Sequence, residues 1–183
     1  LGAYRFKIDP GTFFQTNTRQ AETLYQTVFE AIDFKPGQTI YDLYCGVGTL
    51  SLYVSEKAEK VIGIELNPSA IEKAKENAAL NQVDHVLFEQ GDMKDIFNDD
   101  LLERYGNPDV VITDPPRAGM HEDVVRQLKK VQPETIVYVS CNSATQARDI
   151  ALMSDMYAIR SIRPVDMFPR TYHIESVAVL QKK

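Results

Sequence analysis

The sequence predicts a doubly wound α/β fold on a mostly parallel sheet. Three observations predict it. Short apolar runs alternate with helix-period segments from about residue 18 to the end of the chain. A glycine turn, Cys45-Gly46-Val47-Gly48-Thr49, joins the first apolar run to a helix. The last two segments, about 156–165 and 174–181, have strand patterning with no helix between them, which implies a C-terminal antiparallel hairpin. Folds of this class bind ligands beyond the carboxyl ends of their strands.

The elements follow in order. Ala21, Leu24, Val28, Phe29 and Ile32 recur at helical spacing across 18–33, and Lys35-Pro36-Gly37 ends that helix. Residues 39–44 form a buried strand, and a helix runs from the glycine turn to about Lys57. Residues 60–65 form the next strand. Pro68 suits a first helical position and opens a helix over 68–81. A strand over 86–90 and a helix over 96–105 come next. Residues 109–113 form a strand closed by Asp114-Pro115-Pro116. A helix over 121–131, a strand over 135–139 and a helix over 144–153 precede the hairpin. Phe6-Lys7-Ile8, near the start, is also strand-like.

The chain has 183 residues, the length of one domain. A domain of that size buries about 70% of the surface its unfolded chain exposes. Apolar residues make up 44% and charged residues 25%, which excludes disorder, collagen and coiled coil for the whole chain. No run approaches the roughly 20 apolar residues of a membrane span. Leu1-Gly2-Ala3-Tyr4-Arg5 has neither signal-peptide nor transit-peptide character, so a cytoplasmic location is expected. The abrupt start suggests the C-terminal part of a longer protein.

Two cysteines and three scattered histidines predict neither a disulfide framework nor a metal centre. The net charge of -6 argues against a stand-alone nucleic-acid binder. It leaves open a catalytic module whose grip on nucleic acid is supplied elsewhere.

Gly46 and Gly48 let the backbone approach a ligand at a helix start rich in free N–H groups. Glu65 closes the next strand, where a carboxylate can accept from both hydroxyls of a ribose. A dinucleotide site would favour a small glycine at position 51, where this chain has Ser51. Asp42, just before the turn, would repel a pyrophosphate. A cofactor with a ribose, an amino-acid moiety and a positive centre fits better, and S-adenosylmethionine is such a molecule. Asp92, in Gln90-Gly91-Asp92, is placed to meet its adenine. A purely structural glycine turn is the competing reading.

Asp114-Pro115-Pro116-Arg117 is a rigid turn that could brace a flat substrate. Amino-group methyltransferases often carry an acidic or amide residue, two prolines and an aromatic residue here. Arg117 departs from that pattern. Cys141 follows a strand and precedes a helix, a position that can lower a thiol's pKa. Taken alone, Cys141 reads better as a small core residue. Cys45 is assigned to packing. Glu175 opens the last strand, and Glu175 and His173 taken alone read as surface residues.

Together these residues resemble the catalytic domain of the RNA uracil-5-methyltransferases. The matching pieces run in order. They are Phe13-Phe14-Gln15-Thr16-Asn17, Asp42-Leu43-Tyr44-Cys45-Gly46-Val47-Gly48, Asp114-Pro115-Pro116-Arg117, Ser140-Cys141-Asn142, and Asp166-Met167-Phe168-Pro169 with His173-x-Glu175. Ser143 departs from the proline that commonly follows Cys-Asn. The family's upstream RNA-binding portions, some with an iron–sulfur cysteine cluster, have no counterpart in these residues.

The resemblance implies a Rossmann-like, class I S-adenosylmethionine-dependent methyltransferase fold. It implies methylation of uridine carbon 5 in RNA, with 23S ribosomal RNA ahead of transfer RNA as the expected target. Cys141 would be the nucleophile toward carbon 6, Glu175 the base for the carbon 5 proton, and Asp114 a partner of the uracil edge. The cofactor side would comprise Gln15, Asp42, Tyr44, Gly46, Gly48, Glu65, Asp92 and Asp114. Phe13 and Pro115 would sandwich the base. Arg117 would meet a phosphate or the thiolate. Methylation of cytosine or of an amino group is the alternative among enzymes, and a non-catalytic RNA-binding or assembly module is the alternative outside them.

Overall fold

The computed structural model describes residues 2–8, 15–171 and 174–183. Phe13 and His173 therefore lie outside the described residues. The elements are α1 (Thr18–Ala31), β1 (Thr39–Leu43), α2 (Thr49–Ser55), β2 (Lys60–Glu65), α3 (Pro68–Leu80), β3 (Val86–Gln90) and α4 (Met93–Ile96). They continue with α5 (Asp99–Tyr105), β4 (Val110–Thr113), α6 (Glu122–Val131), β5 (Thr135–Ser140), α7 (Ser143–Leu152), β6 (Tyr157–Val165) and β7 (Glu175–Lys182).

The sheet has seven strands in the order β3-β2-β1-β4-β5-β7-β6. The first five in that order pair in parallel. The predicted hairpin enters reversed: β7 lies antiparallel between β5 and β6, and β6 takes the edge. The chain winds outward in both directions from β1 and β4, so their carboxyl ends flank the topological switch point.

Two apolar layers fix the sheet. Ile40, Val61, Ile112 and Val137 meet α1, α2 and α3 on one face. Tyr41, Ile62, Val111 and Ile136 meet α4, α5, α6 and α7 on the other. This alternation is the two-residue period of a strand buried on both sides. α1 shows the same logic at helical period. Asn17 caps it by accepting from the Gln20 N–H, and Ala21, Leu24, Tyr25 and Val28 form its buried face. Burying Leu24 or Val28 contributes about 1.5–3 kcal/mol each.

Two sequence expectations need correction. The helix expected over 96–105 is two helices. Asp92 caps α4, the chain turns at Phe97, and Asn98 caps α5 by accepting from the Leu101 N–H. Phe97 is buried in the core at the break, so packing overrides helix continuation. Phe6-Lys7-Ile8 joins no strand. The side chains of Asn81 and Asn77 take up the Arg5 and Lys7 N–H groups at 2.9 and 2.7 Å, and α3 thereby holds the segment. Among the described residues no helix is long and apolar enough to cross a membrane.

Candidate active site

A cleft of about 630 Å³ opens at the carboxyl ends of the strands. A recess of about 70 Å³ lies beside it, and Gln15, Tyr44, Gly46 and Asp114 line both.

β1 delivers Asp42 and then the glycine turn. Asp42 is buried and accepts a 2.5 Å hydrogen bond from Ser51 Oγ. Burial pushes its carboxyl up to about 7, with Glu65 adding to the rise and Ser51 opposing it. After β1 the backbone turns left-handed at Tyr44 (φ 67°), Gly46 (56°) and Gly48 (78°). Tyr44 is strained there, and such strain gathers at ligand sites. A Cβ at Gly48 would lie 2.7 Å from the Phe88 ring, whereas one at Gly46 would meet nothing within 4 Å. Gly48 is thus a packing requirement, and Gly46 faces open space. Cys45 is buried in the core, the packing role expected of it.

β2 ends in Glu65, whose carboxylate accepts from the Gly46 N–H at 3.1 Å and the Asn67 N–H at 2.8 Å. Both bonds fix it beside the turn. Asp92 caps α4 and pairs with Lys94 at 3.0 Å, which holds its carboxyl below the usual range. Exposed Leu66 lines the cleft with these two acids. Tyr25 reaches the inner recess from α1. Burial raises its phenol, and Asp114 and Asp42 raise it further. Leu66 and Tyr25 were not anticipated from the sequence.

β4 ends at Asp114, whose N–H donates to the Leu43 carbonyl at 3.3 Å and so extends the β1–β4 ladder by one residue. Pro115 is buried, while Pro116 and Arg117 are exposed. The Asp114 side chain touches solvent, yet the cleft walls strip much of its hydration. That loss, then Glu175 and Asp42, pushes its carboxyl upward.

β5 leads to Cys141, which is half-buried. The β5–β7 ladder ends with Ser140 facing Ser176, and Cys141 and Glu175 follow directly beyond that pair, one on each strand, where both line the cleft. Gln146 Nε2 ties this end together, donating to the Tyr138 carbonyl at 2.8 Å and the Ser176 carbonyl at 3.0 Å. Glu175 Oε2 is buried without a partner among the described residues, and burial raises its carboxyl.

The lowering that a helix start can give a thiol is not found at Cys141. Burial pushes it up, Glu175 and Asp114 add to the rise, and the Arg117 guanidinium opposes them. The start of α7 does not reverse this. Asn142 caps that helix with its own side chain, which accepts from the Ala144 N–H at 3.1 Å.

The cleft thus gathers Gln15, Tyr44, Gly46, Glu65, Asp92, Asp114, Pro115, Arg117, Cys141 and Glu175. Asp42 lines the recess, and Gly48 packs behind the turn. Among the described residues no cluster of His, Cys, Asp and Glu side chains could hold a metal ion.

Residues 2–183 match the tRNA (uracil-5-)-methyltransferase family. A relative from Bacteroides thetaiotaomicron, called an uncharacterized RNA methyltransferase, is 50% identical over 97% of this chain and 39% of its own length. Another of that description, from Chlorobaculum tepidum, is 46% identical over 100% of this chain and 38% of its own. This chain therefore spans about two fifths of the length of those relatives. Among solved structures, the Pyrococcus abyssi tRNA (uracil-54, C5)-methyltransferase in complex with S-adenosyl-L-homocysteine superposes with a TM-score of 0.82 at 40% identity. The match covers 96% of this chain and 41% of that one. The Geobacter metallireducens precorrin-6y C5,15-methyltransferase shares the fold alone, with a TM-score of 0.74 at 13% identity over 97% of this chain and 95% of that one. The chain belongs to the tRNA (uracil-5-)-methyltransferase family.

Proposed function

We propose that this domain binds S-adenosylmethionine and methylates carbon 5 of a uridine in RNA through a covalent bond between Cys141 and carbon 6 of the base. The observation that carries the reading is that Cys141 and Glu175, just beyond the last β5–β7 pair, line one cleft with the glycine turn and Asp114.

The residues present fit the cofactor. Gly46 leaves open space at a left-handed turn, and Glu65 is held as a ribose acceptor. Asp42 and Asp114 are crowded acids that a cationic ligand would relieve. Bound there, S-adenosylmethionine supplies an electrophilic methyl group.

The chain's own residues supply the rest. Cys141 gives its proton to solvent at the cleft mouth, its sulfur bonds carbon 6, and the electron pair of the carbon 5–carbon 6 double bond moves onto oxygen 4. Carbon 5 becomes nucleophilic and takes the methyl group. Glu175 accepts the carbon 5 proton, and the carbon–sulfur bond breaks to restore the double bond. The unpartnered Glu175 Oε2 suits a group that must accept a proton. Asp114 lines the cleft with Cys141 and Glu175, which suits a hydrogen bond to the uracil edge. Arg117 opposes the rise of the thiol's pKa, which favours its role beside the sulfur over a phosphate contact. Pro115 offers a flat wall for the base, which must leave its stack to be reached. Phe13 is assigned the opposite wall.

A uridine of 23S ribosomal RNA is the expected acceptor, and transfer RNA is the substrate class named for the Pyrococcus abyssi relative. With a charge of -6, the domain relies on RNA-binding portions outside these residues. The test is methyl transfer to both RNAs with Cys141→Ala and Glu175→Gln. We expect Cys141→Ala to lose at least about a thousandfold in turnover while binding the cofactor as before. We expect Glu175→Gln to accumulate methylated RNA still attached to Cys141. Turnover by Cys141→Ala at the parent rate would reject the covalent route.

A further inference from the structure

We propose that Asp149, acting with Arg148, is a positioning residue: it holds the 117–120 loop against α7 and so sets Arg117 in the cleft with Cys141. The inference rests on the reading of Cys141 as nucleophile, but its geometry stands apart from it.

Asp149 is buried, 1% exposed, and does not line the catalytic cleft. Its two oxygens are fully engaged. Oδ2 accepts from the Met120 N–H at 2.8 Å and from the Tyr138 hydroxyl at 2.7 Å. Oδ1 accepts from Arg148 Nε at 2.9 Å and Nη2 at 2.7 Å. Arg148 Nη2 also donates to the Ala118 carbonyl at 2.9 Å. One carboxylate thus joins β5, α7 and the loop. A buried charge so fully bonded is costly to disturb.

The loop is shaped to that grip. Gly119 has φ 83°, and a Cβ there would lie 2.6 Å from both Arg148 Nη2 and Asp149 Oδ2. The Gly119 N–H closes the turn onto the Pro116 carbonyl at 2.8 Å. Nearer the site, Asn142 Nδ2 donates to the Arg117 carbonyl at 3.1 Å, and the Thr145 hydroxyl is shared between that carbonyl at 3.2 Å and the Asn142 carbonyl at 3.1 Å. The helix that starts two residues after Cys141 therefore holds the backbone of Arg117, Ala118 and Met120. Arg117, Cys141, Glu175 and Asp114 line the same cleft, so the thiol shares it with one cation and two acids from β7 and the turn after β4. If the loop loosens, the acids remain and the cation withdraws.

The test combines site-resolved alkylation of Cys141 across pH with methyl-transfer kinetics on the full chain. Asp149→Asn cannot accept from Arg148 and Met120 as the carboxylate does. We expect its Cys141 alkylation at pH 8 to slow about threefold as the profile moves to higher pH. We expect turnover to fall by up to about 100-fold with the cofactor affinity kept within twofold. Arg148→Gln, at an exposed side chain, should move both readouts the same way by less, and it serves if Asp149→Asn does not fold. Tyr138→Phe removes a bond to Asp149 but none to the loop, so it should lower stability while leaving profile and turnover alone. A folded Asp149→Asn or Arg148→Gln with the parent profile and turnover would overturn the proposal, as would Tyr138→Phe matching them. Methylation absent from the unmodified protein with its RNA-binding portions in place would reject the enzymatic reading, and the alkylation profile would still decide the role of Asp149.

Discussion

A carboxyl group buried in the core with Ser51 as its hydrogen-bond partner titrates far from its solution range, and Asp42 is such a group. Its folded value of about 7 lies above its unfolded value of 3.8, so the folded domain holds a proton that the unfolded chain releases. The stabilising contribution is full below the unfolded value and is lost as pH rises toward the folded one. In cofactor-free protein we expect Asp42→Asn to melt with the parent near pH 4 and several degrees above it at pH 8. Thermal melts at the two values check this, and a constant difference would contradict the assignment. Asp42, Glu65 and Asp114 were legible because each lies within a residue of a strand's carboxyl end, where an α/β fold presents its ligands. Tyr25 and Leu66 were not. Tyr25 shares the helical period of Leu24 and Val28, and Leu66 carries no chemistry of its own. The rise of the Cys141 thiol was not legible, because a helix terminus is visible in sequence and the burial and the neighbouring acids Glu175 and Asp114 are not.

At the scale of elements, the strand–turn–helix order was readable because both periods are strong. The failures lie where one local signal competes with a distant contact. Phe97 divides a helix by turning into the core, and Arg5 and Lys7 bond to asparagine side chains of a helix far along the chain. The reversal of β7 between β5 and β6 follows from the missing helix, but the residue-level register that pairs Ser140 with Ser176 does not. α7 offers a test of local design. Ser143 is exposed at its first position, and Asn142 before it is extended at φ -139° and ψ 98°, a conformation that precedes proline readily. Proline at a first helical turn loses no hydrogen bond and restricts the unfolded chain. We expect Ser143→Pro to raise the melting temperature by about 1–3 °C. A fall would mean that the loop after Cys141 needs the freedom serine gives it.

For the molecule as a whole, the sheet acts as a frame that brings four separated segments to one edge. The glycine turn, the Asp114 turn, Cys141 and Glu175 meet at the switch point and along the β5–β7 ladder. None of these segments is informative alone, and their order along the chain made the site readable. The acidic balance of the molecule fits a catalytic unit within longer relatives, of which this chain covers about two fifths. The most direct measurement is mass spectrometry after incubation with S-adenosylmethionine and RNA carrying 5-fluorouridine. Fluorine at carbon 5 cannot leave as a proton, so release fails after methylation and the base stays attached. The account predicts a methylated RNA adduct mapped to Cys141 and lost in Cys141→Ala. An adduct on Cys45, or methylation of ordinary uridine with no adduct at all from the fluorinated RNA, would contradict it.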